Sequence, residues 1–553
     1  MGLVRGRRSR GVVVLVVALA LLATACGTTE KESSPTTAAP GGPPTSAKRG
    51  GVWKEPWGPP ATLDPGMAYE GLGIKGVHIL FTGLVTFEDN PELAVSPGVA
   101  ERWSSNADCS QWTFNLRRST FSNGEPVTAE SFIRGWTRAA DGRSASQVAA
   151  RFAGIEGYEA LHGTATSPPT ATTFSGLSAP DPHTLLVRLS SPECEFHKRM
   201  VDTVFSPVPT VVGAPNNNKE YTDAPIGNGE FMVKPGTKLE SGRGLSLVRN
   251  DSYFGPKPSL DGLELVFGPP QGAPQAQMDG FRAGNIDRAS PQAGQRKQAE
   301  ATYGPQGGFL KRLPYTTNFL IANNAKPPFN SPDARKAISL ALDREAIGQA
   351  IGEGTWLPAT ALIPPPWAAF HQPGVCDVCR LDVARAKELA ARSGLTPGTR
   401  IRLLSSGPVA EAQKDQLEKN LGISVEIDSA PAADARAKRR SGDFELSMGG
   451  WAGDWPTPDT FLFPVLGPGA ENFSRYDNAE FNGLIQQARR QKNDAERKRL
   501  YQAAERIAIG RDLAVIPTFW AYSLTVYDAS KWTGVDFDFI GHGAVTFSKI
   551  SLK

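Results

Sequence analysis

The hydrophobic pattern of this chain changes period about halfway along, and that change limits what it can fold into. In the front half, short runs alternate apolar and polar residues with a period of two. Trp112, Phe114 and Leu116 share one face of the run Trp112–Arg117, and Leu185–Leu189, Leu245–Arg249 and Leu263–Phe267 are similar. Such runs read as half-buried strands. In the back half the period lengthens to that of a helix. Ser331-Pro332-Asp333 offers an N-cap with proline at the first helical position. Ala334, Ala337, Ile338, Ala341 and Leu342 then form an apolar stripe. Asp382 caps a second helix that stops at Gly394. Asn478 and Asp494 begin two more, the first turning Phe481, Leu484, Ile485 and Ala488 inward. The strands Arg400–Leu404 and Ser424–Ile427 alternate with helices, which predicts an α/β lobe behind a β-rich front. No internal repeat is evident. The 553 residues, 40% hydrophobic and 21% charged, are ample for several cores. They exclude wholesale disorder and a polytopic membrane protein.

The first 49 residues stand apart from that body. Arg5, Arg7, Arg8 and Arg10 precede the apolar stretch Gly11–Ala23, which is too short to span a bilayer comfortably. It fits the apolar core of a signal peptide, with small residues before a cleavage point. Ala23-Thr24-Ala25-Cys26-Gly27 resembles a bacterial lipobox, although leucine is usual where Ala23 stands. Residues 1–25 therefore read as a lipoprotein signal peptide, and Cys26 as the residue that takes a diacylglycerol and becomes the acylated (palmitate-type) N-terminus. The alternative is ordinary secretory cleavage. Residues 26–49 contain no large apolar side chain and read as a flexible tether. The expected location is the outer face of a bacterial cytoplasmic membrane. The four leading arginines account for the net charge of +3, so the body is close to neutral. Nothing electrostatic suggests nucleic acid as a partner.

With Cys26 lipidated, Cys109, Cys194, Cys376 and Cys379 remain, an even number outside the cytoplasm. Two disulfides are expected. Cys109 precedes one strand-like run and Cys194 follows another, so antiparallel pairing of those runs brings the two together. Cys376-Asp-Val-Cys379 then closes on itself. A lone C-x-x-C is a weak zinc site, and no thioredoxin-like strand precedes it. The chain has no H-E-x-x-H, G-x-S-x-G or Walker A pattern, and its six histidines lack metal-ligand spacing. No metal or cofactor is expected. Gly71-Leu-Gly73-Ile-Lys-Gly76 fits G-x-G-x-x-G, but no apolar strand precedes it, which argues against a dinucleotide site.

Ten short motifs, in order, carry a resemblance. They begin with Leu63-Asp64-Pro65, Leu80-Phe-Thr-Gly-Leu-Val85, Pro97-Gly-Val-Ala-Glu-Arg-Trp103 and Trp112-Thr-Phe-Asn-Leu-Arg-Arg118. Phe121-Ser-Asn-Gly-Glu-Pro-Val-Thr-Ala-Glu130, Ser206-Pro-Val-Pro209, Arg249-Asn-Asp-Ser-Tyr253 and Ala283-Gly-Asn-Ile-Asp287 follow. Asn323-Asn-Ala-Lys-Pro-Pro-Phe-Asn330 with Ala341-Leu-Asp-Arg344, and Gly450-Trp451-Ala-Gly-Asp454-Trp-Pro-Thr-Pro-Asp459, complete the series. Over residues 50–553 the chain resembles the family-5 solute-binding proteins of ABC importers, the oligopeptide and dipeptide binders. The resemblance implies an α/β fold, a two-lobed periplasmic-binding-protein clamshell of the large class. Lobe I would be discontinuous (50–94, 213–315 and 515–553), with a β-rich domain inserted at 95–212. Lobe II would be 316–514. The implied function is capture of peptides between the lobes by a monomer that delivers them to ABC permease subunits driven by cytoplasmic ATPases.

The resemblance also assigns a site. The aspartate of Gly-Trp-x-x-Asp holds the peptide α-ammonium in peptide-binding members; here it is Asp454, preceded by Gly450 and Trp451 and followed by Trp455. Trp451 and Trp455 would be flat apolar walls capable of cation–π attraction. Glu70-Gly71-Leu72 matches the segment that lies along the peptide backbone. Asp459 reads as structural, and Tyr69, Trp356 and Trp367 are cleft candidates by residue type. Ser447-Met448 stands where some members place an arginine for the peptide C-terminus, and Pro431-Ala432-Ala433 where an aromatic residue is common. Ligand length and C-terminal recognition should differ accordingly. The competing functions are the same fold binding a small cationic metabolite, an oligosaccharide or nickel, a surface sensor, and a secreted hydrolase.

Overall fold

Strand pairing divides the body more sharply than the sequence does. The computed structural model describes residues 48–87, 94–164, 166–213, 219–239, 243–268, 274–469, 471–537 and 546–553. The signal segment, Cys26 and nearly all of the tether lie outside the described residues. The first lobe is built on a four-stranded sheet in the order Val52–Trp57, Gly262–Phe267, Gly244–Arg249, Phe231–Val233. Its first pair is parallel, with Val52 opposite Gly262. Trp53, Leu263 and Trp532 are buried in the core beneath it. A three-stranded sheet of Arg288–Ala289, Ser523–Tyr527 and Phe309–Arg312 leads toward the second lobe.

The insert carries an antiparallel sheet in the order Ala100–Ser105, Gln111–Leu116, Thr184–Arg188, Leu177–Asp181. Trp112, Phe114 and Leu116 all face inward along the second strand. Gln111 lies opposite Arg188, so the start of one strand meets the end of the other. A disulfide joins Cys109 to Cys194 just beyond that end, and a second joins Cys376 to Cys379. The helix Ala129–Ala140 packs Trp136 against Phe132, Phe152 and Phe205. On its other side Arg138 donates both terminal nitrogens to Asp64, at 2.9 and 2.6 Å, and the pair is almost fully buried. The Leu63-Asp64-Pro65 motif thus ties the first lobe to the insert.

The second lobe has a six-stranded sheet in the order Trp356–Pro358, Ile516–Ala521, Thr316–Ala322, Leu446–Ala452, Arg400–Leu404, Ser424–Asp428. Helices such as Pro332–Leu340, Val383–Arg392 and Ala479–Arg490 cover it. The sequence boundary at 515 moves here. Ile516–Ala521 pairs with Thr316–Ala322 and Trp356–Pro358, so the chain returns to the first lobe only after Ala521. The insert also differs from a simple appendage of the first lobe, because its core is continuous with that of the second. Among the described residues no helix is long and apolar enough to cross a membrane.

The G-x-G-x-x-G stretch becomes the helix Gly71–Leu80, and its glycines serve packing. A Cβ on Gly73 would lie 2.6 Å from the Thr62 carbonyl, and one on Gly76 would lie 2.3 Å from Leu63. The helix can therefore lie directly against the preceding segment, which sets its outer face toward the second lobe.

Candidate functional site

That outer face forms one wall of a cavity of about 230 Å³ where all three parts of the body meet. Tyr69, Gly71, Ile74 and His78 come from the first lobe, Arg151, Asp202 and Thr203 from the insert, and Arg436, Trp451, Asp454 and Glu471 from the second. Trp451 and Asp454 sit at the end of the strand Leu446–Ala452 and in the turn after it. The Asp454 amide donates to the Thr460 hydroxyl at 2.9 Å, which fixes the turn.

Asp454 does not stand alone. Arg151, 303 residues earlier, donates to its Oδ2 at 2.9 Å and lies 3.7 Å from Asp202. The guanidinium is held over the rings of Trp455 and Trp451, at 5.0 and 5.8 Å from their centroids. Burial opposes its charge, but Asp454 and Asp202 outweigh that effect and hold it protonated. The two carboxyls share one guanidinium between them. Burial pushes the pKa of both upward, and Arg151 only partly offsets the push. Arg436 pairs with Glu471 at 2.9 Å and lies 5.4 Å from the ring of Tyr69 across the cleft. The lining thus brings three carboxylates against two guanidiniums. Two buried donors in this lining, Arg151 Nη1 and Trp451 Nε1, have no protein acceptor.

The structure distributes the sequence-derived candidates unevenly. Trp451, Asp454, Gly71 and Tyr69 meet in the cavity. Trp455 is buried under Arg151 and Arg199 rather than lining it. Gly450 pairs with Asn318 and borders a smaller recess of about 130 Å³ behind Trp451. Glu70 caps the helix: its carboxylate accepts from the amides of Leu72 at 2.7 Å, Gly73 at 2.6 Å and Ala61 at 3.2 Å. Leu72 packs on the first-lobe core. Trp367 is buried against Tyr315 and Phe370, and Trp356 stacks on Phe519 near the crossing between lobes. Asp459 forms a buried two-point pair with Arg489, at 2.9 and 2.8 Å. Arg439, from the helix Ala432–Ser441, lies against Ser447-Met448 and donates to the Ser447 hydroxyl at 3.3 Å. Arg439 donates to the Met448 carbonyl at 3.2 Å. Sequence reasoning missed Arg151, Asp202, Arg436 and Glu471, which no local motif marks. Among the described residues no His, Cys, Asp and Glu side chains cluster as a metal site.

The periplasmic oligopeptide-binding protein OppA of Salmonella typhimurium is 29% identical over 500 residues, covering 86% of this chain and 87% of its own. The periplasmic murein peptide-binding protein MppA of Escherichia coli is 28% identical over 473 residues, covering 81% and 83%. The solved structure of the Escherichia coli murein tripeptide binding protein MppA matches with a TM-score of 0.75 and 25% identity, over 91% of this chain and 98% of that one. Haemophilus influenzae OppA in complex with the peptide RPPGFSPFR matches in fold with a TM-score of 0.72 and 21% identity, over 91% and 99%. A family model described as bacterial extracellular solute-binding proteins, family 5 Middle, matches residues 94–473, more than half the chain. The chain therefore belongs to the bacterial extracellular solute-binding proteins of family 5, a family of binding proteins with the two-lobed α/β architecture.

Proposed function

We propose that this protein captures peptides in the cleft between its lobes by completing the charge balance around Asp454, and hands them to an ABC importer. The observation that carries the reading is the lining of three carboxylates and two guanidiniums. Desolvated carboxylates are stable only when paired, and here His78 and Arg151 both act on Asp202, so Asp454 has no cation to itself. A peptide α-ammonium supplies that cation at the free edge of Asp454, while Asp202 stays on Arg151. The partnerless Trp451 and Arg151 donors suit the carbonyl acceptors of a peptide backbone. Closure of the lobes then buries the ligand and biases the closed form that an importer recognises. Peptide-binding relatives support the same ligand class.

The test is a double-mutant cycle. Asp454→Asn keeps the shape of the side chain and removes its charge, and N-acetylation removes the charge from the peptide. Each alone should weaken binding by about two to three decades, and the two together should add far less than their sum. Calorimetric titration of both proteins with both peptides reads it. Equal affinity of free and acetylated peptide for the wild type would refute the ammonium anchor and favour an uncharged ligand such as an oligosaccharide.

The anchor belongs to the same proposal. Cys26, acylated after cleavage, would hold a monomeric body at the outer membrane face by the tether 26–49. Cys26→Ser should abolish acylation and release the protein into the medium. Mass spectrometry finding no lipid on the wild type would remove this part of the reading.

A further inference from the structure

We propose that a second chamber, opening from the cleft along the same helix, is a subsite for a cationic ligand side chain, with Glu230 as its counter-charge. The inference rests on the peptide reading above and goes beyond it in naming which side chain is selected. The chamber measures about 210 Å³ and shares His78, Asp202 and Thr203 with the ammonium cavity. Whole-ligand pockets run to about 300–1,000 Å³. Each compartment alone is therefore smaller than that, and the two together fall within the range. One would hold the peptide terminus and the other a single side chain.

The walls are aromatic: Phe81, Phe87, Phe231, Tyr253 and Phe547 surround the chamber. Glu230 also lines it, and among the groups that act on its carboxyl only the Ser548 hydroxyl favours ionisation. Burial raises its pKa to about 7, and among the described residues no cation contributes to the balance. The other titratable groups facing the chamber are Lys75, His78, Asp202 and Tyr253. Lys75 and His78 are engaged with other groups of the protein, and Asp202 is held by Arg151. An acid without a cation, set among ring faces, favours an apolar stem that ends in a positive charge. Ring faces attract that charge, the stem buries methylenes, and the carboxylate gains a charge-assisted hydrogen bond. Lysine and arginine side chains have this build.

The experiment uses alanine tetrapeptides carrying lysine, or its uncharged isostere norleucine, at each position in turn. They are titrated into the full-length protein at pH 8 and pH 5.5. At one position lysine should bind about ten- to a hundred-fold more tightly than norleucine at pH 8. The ratio should shrink toward one at pH 5.5, because the carboxyl takes up a proton below about 7. Asp202 and His78 border both compartments, so the same titrations on a Glu230→Gln variant separate their protonation from that of Glu230. Glu230→Gln should bring the ratio close to one at both pH values. A ratio of one at every position, or a preference for lysine that survives Glu230→Gln, overturns the proposal. If no peptide in the series binds, the peptide reading has failed, and pentylamine against pentanol probes the chamber by itself. Amine selectivity that Glu230→Gln abolishes supports the subsite, and equal binding of amine and alcohol overturns it.

Discussion

Burial raises both Glu230 and Glu505 to about 7, yet the two carboxyls sit in opposite surroundings. Glu505 closes the helix Asp494–Glu505 and has no exposed surface. Its Oε1 accepts from the amides of Leu362 and Ile363, each at 2.9 Å, and its Oε2 accepts from the Gln372 side chain at 2.9 Å. The protein itself supplies every donor, and the acid acts as an acceptor that ties the loop at 362–372 to the helix. Glu230 has one hydroxyl and a chamber in front of it. A raised pKa by itself therefore does not mark a binding site. What separates the two is whether the protein satisfies the carboxyl from within.

The largest effect should come from deleting the sealed acid. Glu505→Ala leaves the buried amides of Leu362 and Ile363 without an acceptor and opens a cavity, and should cost about 3–5 kcal/mol of stability in urea unfolding. Glu230→Ala, bordering a chamber that water can enter, should cost less than about 1 kcal/mol. Equal losses would erase the distinction. A smaller effect concerns pH. Both folded-state values lie above the ordinary glutamate value of 4.5. Each acid thus contributes stability that is fully present below about 4.5 and lost as pH rises through about 7. Glu230→Gln removes that loss, so the variant should gain about 1–3 kcal/mol on the wild type between pH 4.5 and pH 8. Glu505→Gln should show the same pH-dependent gain from a lower starting stability, because an amide NH₂ cannot accept from Gln372. Unfolding midpoints across that range, in the absence of ligand, test both gains.

The sequence was legible wherever chemistry is local. The strand alternation at Trp112–Leu116 and the Asn478 cap lie within a few residues of the structure they specify. Trp451 and Asp454 were legible because one turn presents both. Arg151 was not, because it meets Asp454 only when the insert docks on the second lobe, a long-range event with no local pattern. Glu230 was hidden for the same reason, since its chamber is walled by segments from residues 75 to 548. Glu70 shows a different limit. Glutamate is not a preferred N-cap residue, so nothing in the sequence separated a capping carboxylate from a ligand-facing one. The boundary at 515 came with the resemblance and not from local pattern, and only strand pairing separates Ile516–Ala521 from Ser523–Tyr527 into different sheets.

Those two strands have a mechanical consequence. The chain crosses between lobes twice, once through residues 313–315 and once through Tyr522 alone. Arg312 pairs with Ser523 on one side of the crossing and Asn318 with Phe519 on the other, so the two links run side by side. A pair of short parallel straps behaves as a flexure: it yields to bending about the line through both and resists shear and torsion. Bending at this seam works against the core that the insert shares with the second lobe. A load taken up between the lobes would therefore reach the far side of the seam as a bend of these two straps.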